Sequence, residues 1–179
     1  MEPQLERITS LSSRLLKEIQ PIYEDSFPEA ERRDFSKLIQ LLTHKEMCLY
    51  AAIQDQTVVG FATIWEFENF YFLEHIATNT NIRGNGIGGK LLTSIIKSIN
   101  SILIFEVELP NDITSQRRIA FYERFGFHLY TNFSYKQPSY DRIKPAVPML
   151  LMSNNSTLTD IDLDNYTKRI KTDVYERFY

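Results

Sequence analysis

The chain has 179 residues, of which 43% are hydrophobic and 24% are charged, a composition typical of one globular domain. Its net charge of −3, without a block of Lys and Arg, argues against a nucleic-acid-binding protein. The first residues lack the apolar core of a signal peptide, and no apolar run approaches the roughly 20 residues that span a bilayer. Cys48 is the single cysteine, so no disulfide can form within the chain. We therefore expect a soluble cytoplasmic protein that contacts no membrane.

The first half of the chain predicts a short strand, two helices and then three antiparallel strands. The first helix begins at Ser10 or Ser12, either of which would cap it, and it bends or stops near Pro21 because proline lacks an amide donor. After the second helix, β-branched and aromatic residues replace the helical spacing of apolar residues and indicate strands. The remaining elements are expected at residues 5–8 (strand), 30–43 (helix), and 47–53, 57–67 and 70–78 (strands).

The second half predicts a strand–helix–strand crossover, then a helix, two paired strands and a last helix. A helix from Gly86 or Ile87 to Ile99 joins the strand at 70–78 to an apolar strand at 101–109, so these two strands should be parallel. The predicted fold class is therefore α/β, with a mixed, mostly antiparallel central sheet, one parallel pair and flanking helices. The later elements are expected at residues 115–125 (helix, ended by Gly126) and at 127–135 and 147–152 (strands).

The last helix follows a linker at residues 153–156 and is capped by Thr157 or Thr159. Its apolar residues recur every three or four positions and define the face that packs against the rest of the protein. They are Leu163, Tyr166, Ile170, Val174 and Phe178. We expect residues 1–152 to form one domain, and residues 153–179 to pack on that domain or on the second subunit of a homodimer.

Four of the six glycines lie between Gly84 and Gly89, directly before the apolar pattern of a helix. Glycine lets backbone approach a ligand closely, and the start of a helix presents unpaired N–H groups and the positive end of the helix dipole. Loop and helix start together predict an anion site suited to phosphate. The loop also satisfies G-x-G-x-x-G, the dinucleotide fingerprint, but residues 79–83 separate it from the preceding strand, which argues against a nicotinamide-binding fold.

Two motifs resemble those of the GNAT N-acetyltransferase superfamily. Residues 83–88 match its Arg/Gln-x-x-Gly-x-Gly/Ala signature, residues 121–127 resemble its Phe-Tyr-x-x-x-Gly-Phe motif, and the order of elements from about residue 5 to 152 also matches. The resemblance implies that acetyl-coenzyme A binds with its pyrophosphate on the loop and its pantetheine along the end of the strand at 70–78, where the parallel pair would splay apart. The implied cofactor-binding residues are Ile76, Ala77, Thr78, Arg83, Gly84, Asn85, Gly86, Ile87, Gly88 and Gly89.

Two positions depart from the family's pattern. Thr78 stands where the family usually has Val or Ile. Ser115 stands where many members have Asn, which leaves open whether Asn111 makes that pantetheine contact instead.

Acetyl transfer to an amine needs a group that takes a proton from the ammonium and a proton donor for the departing sulfur. Carboxylates on otherwise apolar strands carry a desolvation cost that calls for a partner or a function. Glu74 is the first choice for the base because it shares strand alternation with Ile76 and Thr78. Glu106 and Glu108, on the neighbouring strand, are the alternatives.

The resemblance places Tyr122 at the family's general-acid position, whereas Phe121 and Phe125 are expected to pack the helix against the sheet. His75 is expected on the opposite strand face from Glu74, as a structural histidine. The histidines lack metal-ligand spacing and Cys48 has no base nearby in sequence, so we expect neither a metal nor an acetyl-cysteine intermediate.

These features predict an enzyme that transfers an acetyl group from acetyl-coenzyme A to a primary amine by direct attack in a ternary complex. The acceptor would be a small molecule or a peptide. In the family it is recognised by segments that correspond here to residues 21–31, which are acidic, and 136–148, which are basic, so its charge stays open. Two alternatives remain: a catalytically silent acyl-coenzyme A sensor of the same fold, and a dinucleotide-dependent enzyme.

Overall fold

The computed structural model describes residues 3–82 and 86–178. The strands of these ranges are β1 (Gln4–Ile8), β2 (Met47–Gln54), β3 (Thr57–Glu66), β4 (Phe70–Thr78), β5 (Ile102–Glu108), β6 (His128–Gln137) and β7 (Val147–Ser153). The helices are α1 (Leu16–Ser26), α2 (Phe35–Gln40), α3 (Ile87–Ser98), α4 (Ile113–Glu123) and α5 (Asp160–Ile170). The strands form a mixed, mostly antiparallel sheet in the order β1-β2-β3-β4-β5-β7-β6, which confirms the predicted fold class.

The chain divides into two compact units, Met1–Ser101 and Ile102–Tyr179. The first unit is built on the antiparallel meander from β1 to β4, whose strands agree with the prediction to within one residue. Asp55 and Gln56 form the β2–β3 turn with positive φ angles of 50° and 62°, which match the twist of a two-residue hairpin. β3 lies at the centre of the core of this unit, because all its residues except the two at its ends are buried.

β4 contains a bulge at Glu74. Its neighbours Leu73 and His75 pair with consecutive residues of β3, so Glu74 is an extra residue without a partner on that strand. An extra residue interrupts the alternation of strand faces. The sequence predicts opposite faces for Glu74 and His75, but both side chains contact the same segment, at Arg33 and at the carbonyl of Glu31 respectively. The predicted alternation is therefore wrong at this position, and the bulge is the cause.

The two N-terminal helices are shorter than predicted. α1 begins at Leu16 rather than at Ser10 or Ser12, because Ser10 Oγ accepts a hydrogen bond from the Ser12 amide and the residues that follow form turns. Pro21 lies inside α1 and does not end it. The predicted second helix is divided into α2 and two single 3-10 turns, Glu29–Glu31 and Leu41–Thr43.

The second unit pairs β7 with β5 on one edge and with β6 on the other, all antiparallel. α4 begins at Ile113, two residues before the prediction, because Asp112 and Ser115 form a reciprocal capping box. Gly126 follows α4 with a φ of +85°, the left-handed conformation expected at that position. Thr159, one of the two predicted caps, closes the start of α5 in the same reciprocal way.

The last helix changes pitch after Ile170, where one π-helical turn, Lys171–Tyr175, follows α5. A π turn contains one residue more than an α turn, so Tyr175 lies one turn after Ile170 on the same face. Both residues are fully buried, whereas Phe178, which the spacing predicts on this face, is partly exposed. The helical spacing therefore correctly predicts the burial of Leu163, Ile170 and Val174, whereas Tyr166 is partly exposed and the buried Tyr175 is missed.

Gly60 lies where β3 approaches both β4 and α3 closely. A Cβ at this position would lie 2.5 Å from the Ala77 carbonyl oxygen and 3.2 Å from Leu91 Cδ2 of α3. We expect Gly60→Ala to lower the free energy of unfolding by about 1–3 kcal/mol, because the backbone of β4 cannot yield as a flexible side chain could. Urea unfolding measures the loss. Thr57→Ala, at the exposed start of the same strand, should change stability by less than about 0.5 kcal/mol, and an equal loss in both variants would contradict the steric explanation.

Candidate active site

The start of α3 combines a left-handed glycine with an open approach. Gly86 is the N-cap of α3 and has a φ of +69°, which residues with a Cβ rarely adopt. Apart from its chain neighbours and the nearby backbone of its own helix, a Cβ built on Gly86 would meet no atom of the described residues within 4 Å. The amides of Ile87, Gly88 and Gly89 precede the first hydrogen bond of the helix, from the Lys90 amide to the Gly86 carbonyl at 3.0 Å. These donors and the open space in front of them fit a phosphate group.

The C-terminal end of β4 is partly exposed. Ile76, Ala77 and Thr78 pair with β3 along one edge, and each is partly exposed. Glu74 is also partly exposed as a residue although the exposed fraction of its side chain is 0%, so its exposed atoms belong to the main chain. Pairing of pantetheine with this strand end stays a prediction. Three other residues predicted to bind the cofactor lie outside the described residues: Arg83, Gly84 and Asn85.

The Glu74 carboxylate is enclosed by two polar side chains. Trp65 donates its indole N–H to Glu74 Oε2 at 2.6 Å, and Arg33 Nη2 lies 3.4 Å from Glu74 Oε1. The exposed fractions of the Arg33 and Glu74 side chains are 2% and 0%. Removing one partner of such a pair leaves an uncompensated buried charge, so the two side chains hold the segment before α2 firmly against β4.

His75 lies beside this ion pair and is a structural residue, as expected. Its Nε2 atom is 3.1 Å from the Glu31 carbonyl oxygen, and its ring contacts Phe27 and Tyr23 at centroid distances of 4.4 and 5.2 Å. Burial lowers the pKa of His75 below its ordinary value, so the imidazole is neutral near pH 7. A neutral imidazole can donate Nε2–H to the carbonyl, which accounts for the contact.

In the second unit, Tyr122 packs α4 against β5. Its ring lies 4.5 Å from that of Phe105 and the residue is 8% exposed, whereas Phe121 and Phe125 are partly exposed. The sequence predicts this packing for Phe121 and Phe125, and that prediction is wrong because the α4 face that meets β5 carries Tyr122. Tyr122 therefore supports the fold through its ring, and its hydroxyl is the part available for chemistry.

Burial raises the pKa of Tyr122 to about 12, partly offset by the positive charge of Arg118. The phenol is therefore protonated near neutral pH and can donate a hydrogen bond or a proton. Among residues 3–82 and 86–178, no group forms a hydrogen bond with the Tyr122 hydroxyl. A protonated hydroxyl that makes no such hydrogen bond is suited to donate to the sulfur of the coenzyme, the role that the resemblance to the family implies.

The two carboxylates of β5 differ in their surroundings. Glu106 accepts hydrogen bonds from the hydroxyls of Tyr135 and Tyr175, the latter at 2.7 Å. Glu108 instead pairs with Arg118 of α4, and both of these side chains are substantially exposed. Burial and the charge of Glu106 raise the pKa of Tyr135 well above its ordinary value, so that hydroxyl remains a donor.

Sequence reasoning missed Tyr135 and Tyr175 as partners of a candidate catalytic carboxylate. Tyr135 lies on β6, two strands away from Glu106 in the sheet, and its pairing across β7 follows a shift in register. Tyr175 is displaced from the α-helical pattern by the π turn. Tyr175 directly follows Val174, the last buried residue of the predicted apolar face. This position next to the apolar face is the sequence signal that could have predicted burial of Tyr175.

Ser115 is occupied by its local structure. Its Oγ donates to the Asp112 carbonyl at 2.9 Å and accepts from the Asp112 amide at 3.2 Å, which closes the N-terminus of α4. Asn111 is exposed just before this cap. Which of the two residues contacts pantetheine stays open.

The described part of the chain holds no group of three or more His, Cys, Asp or Glu placed to bind a metal ion. Nor does it contain a helix with the length and apolar character needed to cross a membrane.

The sequence profile of the Acetyltransferase (GNAT) family matches residues 13–127, which include the glycine loop, β4, β5 and Tyr122. The chain belongs to the GNAT acetyltransferase family. YjbC of Bacillus subtilis (strain 168), a proposed acetyltransferase, is 27% identical over 115 residues, which are 63% of this chain and 58% of YjbC. The chain therefore matches little more than half the length of that relative.

Solved structures of GNAT proteins extend the similarity. A proposed GNAT acetyltransferase from Bacteroides thetaiotaomicron is 29% identical, with a TM-score of 0.89 over 96% of this chain and 98% of that chain. An aminoglycoside 6'-N-acetyltransferase complexed with coenzyme A is 15% identical, with a TM-score of 0.62 over 84% of this chain and 95% of that one, and shows the fold alone. Because the match with the Bacteroides protein covers 96% of this chain, it includes most of residues 153–179.

Proposed function

We propose that this GNAT protein transfers an acetyl group from acetyl-coenzyme A to a primary amine of a small molecule or a peptide, by direct attack in a ternary complex. The start of α3 carries the proposal, because left-handed Gly86 faces open space within the region that matches the family. Main chain from Arg83 to Gly89 would hold the pyrophosphate, and main chain from Ile76 to Thr78 would pair with pantetheine. The bound coenzyme supplies the acetyl group as a reactive thioester.

The proton balance of this reaction defines what the side chains must do. Transfer forms a C–N bond and breaks a C–S bond, so one proton leaves the amine nitrogen and one reaches the sulfur. A primary alkylamine with a pKa of about 10 is only about a thousandth neutral at pH 7, so a group that binds the ammonium and accepts its proton accelerates the reaction. Tyr122, whose pKa is raised to about 12, is our proposed donor to the sulfur.

Glu74 remains a candidate for the base, and its enclosed ion pair adds a structural role. We expect Glu74→Gln to lower the free energy of unfolding by about 3 kcal/mol, because the substitution leaves the buried Arg33 guanidinium without its ion pair. Urea unfolding measures this loss. Glu108→Gln is the matched control, since its exposed pair with Arg118 should contribute less than about 1 kcal/mol.

The same variant separates the two roles by kinetics. If Glu74 accepts the proton of the amine, the deficit in kcat/KM should shrink as alkaline pH deprotonates the amine unaided. A deficit that is independent of pH, together with the loss of stability, would leave Glu74 with the structural role alone. Full activity and full stability would contradict both roles.

Saturating acetyl-coenzyme A is expected to stabilise the protein, and NADH is not. A ligand at 100 times its Kd adds about 2.7 kcal/mol, which for a domain of this size raises Tm by several degrees. Thermal unfolding with and without each ligand measures the shift. No shift with acetyl-coenzyme A, or a larger shift with NADH, would contradict the proposed cofactor and favour the dinucleotide alternative.

The sensor alternative differs from the enzyme only in turnover. Release of free coenzyme A from acetyl-coenzyme A, followed with a thiol reagent in the presence of a panel of primary amines, detects the reaction directly. Tight binding of acetyl-coenzyme A without release of coenzyme A in the presence of any amine would favour the sensor.

We also propose that the protein acts in the cytoplasm without binding nucleic acid or membrane. Cys48 is buried and free, which suits a reducing compartment. The predicted homodimer remains a prediction, which the molar mass in solution would test.

A further inference from the structure

Thr63 carries a hydroxyl into the buried core of the first unit. The exposed fraction of the residue is 0%, and among residues 3–82 and 86–178 no group forms a hydrogen bond with its Oγ1 atom. Buried hydroxyls in folded proteins are nearly always hydrogen-bonded, either to protein or to an internal water, because an unsatisfied one costs free energy. The Thr63 hydroxyl therefore calls for a partner beyond the described side chains and main chain.

A second buried oxygen in the same unit belongs to Glu74. Its Oε2 atom accepts the indole N–H of Trp65, whereas within the described part of the chain Oε1 accepts no hydrogen bond and has Arg33 Nη2 at 3.4 Å. The exposed fraction of the Glu74 side chain is 0%. Because a carboxylate oxygen has two lone pairs, Oε1 can accept a hydrogen bond in addition to its ion pair.

The pairing of β3 with β4 brings these two oxygens to one face of the sheet. From Gly60 to Glu66 the register of β3 is interrupted only by the bulge on β4, so the side chains of Thr63 and Trp65 share a face. Thr63 pairs directly with His75, the neighbour of Glu74, and paired side chains have Cβ atoms about 5 Å apart. Trp65 holds the Glu74 carboxylate on this same face.

The charges around the two oxygens favour a neutral ligand. Glu74 and Arg33 form an ion pair whose side chains are 0% and 2% exposed, so their charges offset each other. Another cation would be repelled by the guanidinium, and an anion would be repelled by the carboxylate. Water is neutral, both donates and accepts hydrogen bonds, and occupies buried sites that offer two to four polar partners.

We propose that Thr63 and Glu74 bind one internal water molecule between β3, the bulge of β4 and the segment before α2. The water donates one hydrogen bond to Glu74 Oε1 and forms a second with the Thr63 hydroxyl, so both buried oxygens acquire a partner. Through this water, β3 holds the second oxygen of a carboxylate whose first oxygen Trp65 holds directly. The site thus stabilises the bulge that precedes residues 76–78, and it does not depend on the proposed acetyl transfer.

A high-resolution crystal structure of the wild-type protein tests the site directly. We expect a water about 2.6–3.2 Å from both Thr63 Oγ1 and Glu74 Oε1. Thr63→Ser retains the hydroxyl and should keep this water, whereas Thr63→Val puts a methyl group in its place and should lose it. A direct hydrogen bond from Thr63 Oγ1 to a protein atom, a dry site, or two oxygens too far apart to share one water would overturn the proposal.

The thermal stability of Thr63→Val has opposite signs under the two explanations of the buried hydroxyl. If the hydroxyl bonds an internal water, the substitution removes that hydrogen bond and should lower Tm by about 2 °C or more. If the hydroxyl has no partner, the substitution removes its desolvation cost and should raise Tm. Calorimetry measures the shift, and a higher Tm would overturn the proposal.

Thr167→Val is the matched control. Thr167 is also buried, at 8% exposed, but its Oγ1 donates directly to the Asp164 carbonyl at 3.1 Å in the second unit. In the Glu74→Gln background, which weakens the acceptor of the proposed water, Thr63→Val should lower Tm less than it does in wild type. Thr167→Val should lower Tm equally in both backgrounds. Equal losses from Thr63→Val in both backgrounds would show that Thr63 and Glu74 do not share a water.

Discussion

Tyr122→Phe is expected to lower kcat by about 10²-fold or more, the usual scale for a residue that donates a proton in the rate-limiting step. The substitution removes one hydroxyl and keeps the ring that packs on Phe105. Stability and the Kd of acetyl-coenzyme A should therefore change little. Steady-state kinetics with an amine that the wild type acetylates, together with calorimetric titration of the cofactor, measure the two quantities.

The pH dependence of this variant has a defined sign. The donor is active when protonated, and burial raises its pKa from 10.0 to about 12, so rising pH should not deprotonate Tyr122 until well above pH 10. The deficit of Tyr122→Phe should consequently be constant between pH 7 and 10. Tyr71→Phe, which removes a hydroxyl bonded to Glu66 on the first unit, is the control and should retain wild-type kcat. A Tyr122→Phe enzyme with wild-type kcat would show that the residue serves packing alone.

Gly86→Val is expected to abolish stabilisation by acetyl-coenzyme A while the protein still folds. The φ of +69° at Gly86 is strained for a β-branched residue, and the side chain would project into the open space where phosphate oxygens are expected. At a concentration 100 times the wild-type Kd, the shift of about 2.7 kcal/mol should fall to near zero. Thermal unfolding and calorimetric titration measure the loss.

Gly126→Val is the matched control for this prediction. Gly126 also has a positive φ, +85°, and a Cβ there would likewise meet no atom within 4 Å. It follows α4 rather than opening α3, so its substitution should strain the backbone similarly and leave cofactor affinity unchanged. If both variants lose acetyl-coenzyme A binding equally, strain rather than an anion site at α3 explains the effect. Wild-type affinity in Gly86→Val would make the loop an ordinary turn.

Local signals in the sequence were sufficient for most elements and for the start of α3. The enrichment of β-branched and aromatic residues predicts β2, β3 and β4 to within one residue, because such side chains favour the extended backbone of a strand. The apolar pattern after the glycine cluster predicts the start of α3 at Gly86 or Ile87, and the structure has Gly86 as the left-handed N-cap, a conformation that glycine takes readily. Gly126 predicts the end of α4 for the same reason.

Helix starts were less predictable because neighbouring polar side chains compete for the same amides. Ser10 and Ser12 bond to each other rather than cap α1, and Asp112 starts α4 earlier than the apolar pattern indicates. Two alternative starts of the same helix differ in free energy by about the contribution of one hydrogen bond. A pattern of residue types is too coarse to predict which start has the lower free energy.

What the sequence by itself determined is the order of elements, the glycine loop with its helix, and the set of carboxylates and the tyrosine available for chemistry. Only the tertiary structure decided how those carboxylates are used. The bulge at Glu74 and the π turn that ends at Tyr175 each insert one residue into a regular element, which changes the face on which the following side chains lie. The partners Arg33 of Glu74 and Tyr175 of Glu106 are distant in sequence. Such contacts depend on how distant elements pack, and the local periodicity of a sequence carries no record of that packing.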